Sequence, residues 1–92
     1  MVFTPFFDLD KVPIMPTVLR LGPYRFFFYS RESNEPAHIH VAASEREAKF
    51  WLENTELASS YGFKPHDLSQ LLAIVVENKV VFQEAWNDHF SR

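Results

Sequence analysis

His38 and His40 are the residues of this 92-residue chain best suited to chemistry. An imidazole changes charge close to neutral pH, so it can take or give a proton there. Two of them can serve as general base and general acid in phosphodiester cleavage, with Arg or Lys stabilising the charge that develops. The same pair offers two neutral nitrogen ligands to a metal, with Glu32 or Glu45 as a carboxylate partner. A third use is plain docking of a protein or nucleic acid on an aromatic, basic sheet face. The fourth is structural: two polar residues on the solvated face of a sheet.

The element that carries the pair must be a strand, because side chains two apart in a strand share a face. His38, His40 and Ala42 point one way, and Ile39, Val41 and Ala43 form the core side. The segment from Glu47 to Asn54 alternates likewise, with Ala48, Phe50 and Leu52 opposite Lys49, Trp51 and Glu53. In Tyr24–Ser30 the charge on Arg25 assigns Arg25, Phe27 and Tyr29 to the non-core set. One sheet face is therefore expected to gather His38, His40, Arg25, Tyr29, Lys49 and Trp51. Of these, His38 and His40 are the candidate catalytic pair. Arg25 and Lys49 would meet phosphate, and Tyr29 and Trp51 would stack on bases.

Strands are expected at Thr17–Leu21, Tyr24–Ser30, His38–Ala43, Glu47–Asn54 and, closing the sheet, Glu56–Tyr61. Gly22-Pro23 marks a turn, and residues 31–37 are a polar loop ending at a proline. Pro65-His66-Asp67 looks like the start of a helix. Leu68, Leu71, Leu72, Val75 and Val76 then recur at helical spacing. Asn78 interrupts, and Val81, Phe82, Ala85, Trp86 and Phe90 continue the pattern. His66 and His89 fall at helix ends, where capping or the helix dipole accounts for them. The sum is an α+β domain: an antiparallel sheet of four or five strands, then one bent or two C-terminal helices on one face. The domain proper spans 17–92. Residues 1–16, with three prolines and several aromatics, read as an extension packed on the body or on a neighbour.

Composition narrows the classes. The chain is 47% hydrophobic and 16% aromatic, too apolar for disorder. It has no cysteine, so disulfides and thiolate metal sites are excluded, which suits a cytoplasmic protein. No apolar run approaches a membrane span, and the N-terminus lacks the features of a signal peptide. The net charge of −3 argues against indiscriminate nucleic-acid binding. The whole excess of acid lies after residue 50, which leaves a local basic face open to the first half.

Met15-Pro-Thr-Val-Leu-Arg-Leu, then Phe27-Phe28-Tyr29-Ser30, then Pro36-Ala37-His38-Ile39-His40-Val41, resemble a bacterial family known as domain of unknown function 4160. The helical tail with Trp86 is also similar. Family members often carry a second proline where this chain has Ala37. The resemblance implies a small bacterial protein encoded beside a second one, in an arrangement like a toxin–antitoxin pair. This chain would be the toxin-side component, with an antitoxin-like partner; by analogy with other small toxins its target would be RNA or translation. The residues carried over are Tyr29, Ser30, Glu32, Pro36, His38 and His40. Glu32 joins the catalytic candidates as the group that would orient an imidazole if its loop folds back. A non-catalytic protein-binding module of a two-protein complex, and a metal-binding protein using the His-x-His pair, are the alternatives. A homo-oligomer is compatible with each.

Overall fold

The computed structural model describes residues 17–29, 31–32 and 34–90. The expected N-terminal extension and Ser30 lie outside these residues. Five strands form an antiparallel meander in the order β1-β2-β3-β4-β5: β1 Thr17–Leu21, β2 Tyr24–Phe27, β3 His38–Ala43, β4 Arg46–Trp51 and β5 Leu57–Tyr61. Two helices follow, α1 Pro65–Glu77 and α2 Lys79–Phe90. The α+β architecture with five strands and two helices agrees with the expectation from hydrophobic periodicity.

The helices cover one sheet face. Phe26, Ile39, Val41, Ala48 and Phe50 meet Leu71, Val75, Phe82 and Trp86 there, all of them buried. Phe26 stacks on Phe82 with centroids 5.4 Å apart. The strand alternation therefore works as the pattern requires, with one residue set facing helix and the other facing away.

Asn78 explains why there are two helices. Its side-chain amide donates to the Ile74 carbonyl at 2.8 Å, closing α1. Its own carbonyl accepts from Phe82 N–H at 3.0 Å, opening α2. Pro65 occupies the first turn of α1, where its missing N–H is no loss. Among the described residues no helix is long and apolar enough to cross a membrane.

Register fixes the far face of the sheet. Phe27 lies opposite His40, His38 opposite Trp51, and His40 opposite Lys49. Strand β2 stops at Phe27 rather than running to Ser30, and β4 ends at Trp51 rather than Asn54. Both ends release chain beside the histidines.

Candidate functional site

His38 and His40 point away from the helix-covered core face, as their parity requires. Neither is solvated. His38 is fully buried and His40 is 6% exposed. Aromatic rings enclose them. Trp86 of α2 and Trp51 lie against His38, with centroids 4.8 and 5.7 Å away. Phe27 stacks on His40 at 5.4 Å, and Tyr29 meets it edge-on at 4.7 Å. Burial on this scale removes the solvated-face account of the pair.

Glu32 comes from the loop after β2. Tyr29 N–H donates to its Oε1 at 3.0 Å, which folds the loop back over the sheet. The carboxylate then reaches both imidazoles. His40 Nε2 lies 2.9 and 3.1 Å from its two oxygens, and His38 Nε2 lies 2.9 Å from Oε1. The other ring nitrogens also face oxygen. His38 Nδ1 donates to the Pro36 carbonyl at 2.8 Å. His40 Nδ1 lies 3.2 Å from Glu47 Oε2, which also accepts from the Tyr29 hydroxyl at 3.3 Å. A continuous polar chain thus runs from Tyr29 through Glu47, His40 and Glu32 to His38.

The electrostatics follow from these contacts. Burial pushes the Glu32 carboxyl up, but the contacts from His40 and His38 outweigh it and hold it below the usual carboxylate value. Glu35 is also held down, by its hydrogen bond from Lys49. The Tyr29 phenol is pushed up, first by burial and then by the neighbouring Glu47 carboxylate.

Glu32, Arg25, Tyr29, His38, His40, Lys49 and Trp51, all named from sequence, sit on this face, and Ser30 lies outside the described residues. Glu32, His38 and His40 form one cluster, with one ligating atom from each within 4.8 Å of the others. These are the residues that could hold a metal, and the carboxylate beside the histidines is Glu32 rather than Glu45. Arg25 lies over the Phe27 ring at 4.1 Å, and Lys49 lies over Trp51 at 4.6 Å. Lys49 is bonded to Glu35. A cleft of about 460 Å³ opens beside His40, lined by Glu45, Glu47, Lys49, Ser59 and Tyr61 among others. His38 does not reach it. The two histidines are therefore unequal: one borders open space, the other is sealed behind it.

Sequence reasoning missed Glu47, Glu35 and the closure by Trp86. The signal for Glu47 was present, since it shares strand parity with Lys49 and Trp51. Nothing local marked Glu35 or Trp86.

These features define a class: a small open-sheet α+β protein with an imidazole–carboxylate cluster on the sheet face opposite its helices. A family model described as a domain of unknown function (DUF4160) matches residues 24–87. The chain belongs to that family, and the matched span carries Tyr29, Glu32, Pro36, His38, His40 and Trp86. No curated protein and no solved structure gives a significant match.

Proposed function

We propose that this chain is a small effector enzyme, the toxin-side member of a two-protein pair, and that Glu32, His38 and His40 are its working centre. The observation that supports this reading is the convergence of both Nε2 atoms on one carboxylate. Such a cluster can store and pass a proton near neutral pH. His40 borders the cleft, so it is the imidazole that meets substrate. Glu32 and His38 stand behind it and hold its orientation.

RNA is the substrate in this proposal. The reacting proton leaves a ribose hydroxyl for His40. Lys49 is the cation nearest to that position in register, opposite His40 on β4. It must first leave Glu35 to meet a phosphate. Replacing Glu35 by Gln would free it, so Glu35→Gln is expected to raise RNA cleavage or binding.

Inducible expression in a bacterial host tests the proposal. The wild-type chain is expected to arrest growth and reduce intact RNA. His40→Gln and Glu32→Gln, shown by circular dichroism to be folded, are expected to relieve the arrest. Full toxicity of both folded variants, or no arrest by the wild type, would overturn the reading.

A further inference from the structure

We infer that Glu32, His38 and His40 bind one divalent first-row transition ion through two imidazole Nε2 atoms and one carboxylate. This deepens the proposed function by naming a cofactor for the same centre; with the ion bound, His40 is a ligand, and the ribose proton would pass instead to Glu47, the cleft-lining carboxylate beside it. It stands on geometry that does not depend on what the protein acts upon.

Donors and acceptors around the two rings do not match. The two rings have four nitrogens, and each faces an oxygen. His38 Nδ1 faces the Pro36 carbonyl at 2.8 Å, and its Nε2 faces Glu32 at 2.9 Å. His40 Nε2 faces Glu32 at 2.9 Å, and its Nδ1 faces Glu47 at 3.2 Å. A carbonyl and an ionised carboxylate accept and never donate. Two neutral imidazoles supply only two N–H groups. Two of the four contacts then set a lone pair against an oxygen lone pair.

The carbonyl of Pro36 decides where the first proton goes. His38 must carry it on Nδ1, so in the neutral ring Nε2 is a bare lone pair. In that tautomer this buried atom has no proton to give the Glu32 oxygen 2.9 Å away. His40 Nδ1 is likewise buried without a hydrogen bond. With a proton placed on His40 Nδ1, it faces Glu47. Both Nε2 lone pairs and the Glu32 carboxylate then turn on one point. A buried imidazole that donates its outer N–H to a carbonyl or carboxylate while its inner nitrogen faces a cation is the usual second-shell arrangement of metal-binding histidines.

A divalent ion at that point resolves all four contacts together. It also supplies positive charge beside Glu32, whose carboxylate is largely covered, and beside the more exposed Glu47. The donor set of two imidazoles and one carboxylate suits zinc or iron(II), with coordination positions left for water or substrate. Zinc at about 2.0–2.1 Å from each donor sets neighbouring donors about 3.3 Å apart in a tetrahedron. Glu32 would have to move outward by a few tenths of an ångström from its 2.9 Å contacts, and donors now up to 4.8 Å apart would have to close toward about 3.3 Å. Glu32 is carried on a loop, and its side chain is flexible.

The competing occupant is a third and a fourth proton, which would make both rings cationic. Titration of the chelator-treated full chain with zinc and with cobalt(II) separates the two. We expect one equivalent to bind, with the cobalt complex showing the absorption of a low-coordinate nitrogen–oxygen site. Glu32→Gln is expected to weaken binding at least about 100-fold, and Glu47→Gln about 10–100-fold through His40. His66→Gln, an exposed control on α1, should leave it unchanged. His40→Gln is the second ligand variant, in case Glu32→Gln disturbs the loop. Failure of either metal to bind the folded chain below millimolar concentration would overturn the inference. So would binding that survives both Glu32→Gln and His40→Gln. Growth arrest that depends on His40 without any metal binding would leave the proposed function standing and remove the metal. Metal binding as expected, without growth arrest, would do the reverse.

Discussion

Replacing His38 by Ala should damage stability far more than replacing His40 by Ala. His38 is fully buried between Trp51 and Trp86. Truncating a large buried side chain costs about 2–4 kcal/mol through lost contacts and residual cavity. The Pro36 carbonyl also loses its partner, which adds about 1 kcal/mol. The sum is about 3–5 kcal/mol, against a total of about 5–15 kcal/mol for a domain. His40 borders the cleft, so water can replace its contacts, and its truncation should cost about 1–2 kcal/mol. With a urea slope of about 1–1.5 kcal/mol per molar for so small a chain, His38→Ala lowers the unfolding midpoint by roughly 2–5 M. His40→Ala lowers it by roughly 0.7–2 M. Urea unfolding followed by tryptophan fluorescence and by circular dichroism reads both. A shift below about 0.5 M for His38→Ala, or a larger loss for His40→Ala, would refute the burial argument. The same reasoning explains why function is better probed with His40 and Glu32 than with His38.

Three further outcomes follow from other parts of the structure. Glu32 and Glu35 have carboxyls held below 4.5 in the folded chain, so the unfolded chain binds more protons as pH falls. The stability they contribute is present above about pH 4.5 and is lost as pH drops through their lowered values. The Glu32→Gln, Glu35→Gln double variant should therefore show a shallower loss of stability between pH 5 and pH 3 in urea titrations; an unchanged slope would contradict this. Gly62 has φ +85°, and a Cβ there would lie 2.8 Å from Arg46 Cγ. Gly62→Ala should cost about 1–3 kcal/mol by thermal or urea unfolding, and a neutral effect would show that the turn can readjust. Phe82→Ala, in the stack with Phe26, should cost about 3–5 kcal/mol, whereas the half-exposed Val81→Ser should stay within about 0.5 kcal/mol.

The sheet face was legible in the sequence because strand parity is strict. Alternation, with the charge on Arg25 choosing the side in Tyr24–Ser30, put Arg25, Phe27, Tyr29, His38, His40, Lys49 and Trp51 on one side. The helices were legible from spacing, and Asn78 from the break in it. Burial of that second face was not legible. A face opposite the helices reads as solvated, yet Trp86 reaches His38 from α2, and the loop after β2 folds over it. Both depend on contacts between residues far apart in sequence or held in irregular backbone. The early end of β2 has the same origin, since the Tyr29 N–H turns to the Glu32 carboxylate. Glu32 could be suspected but not placed, because a loop has no periodicity from which to read direction. Glu47 had the right parity and was overlooked beside more conspicuous neighbours.

The central claim is that Glu32, His38 and His40 act as a single centre rather than as separate buried groups. Nitrogen-15 resonances of the histidine rings report this directly. In Glu32→Gln, the Nε2 signals of both His38 and His40 are expected to shift together, while those of His66 and His89 stay in place. The Nδ1 proton of His38 should remain, held by the Pro36 carbonyl. Unmoved Nε2 signals for either His38 or His40 would contradict the claim.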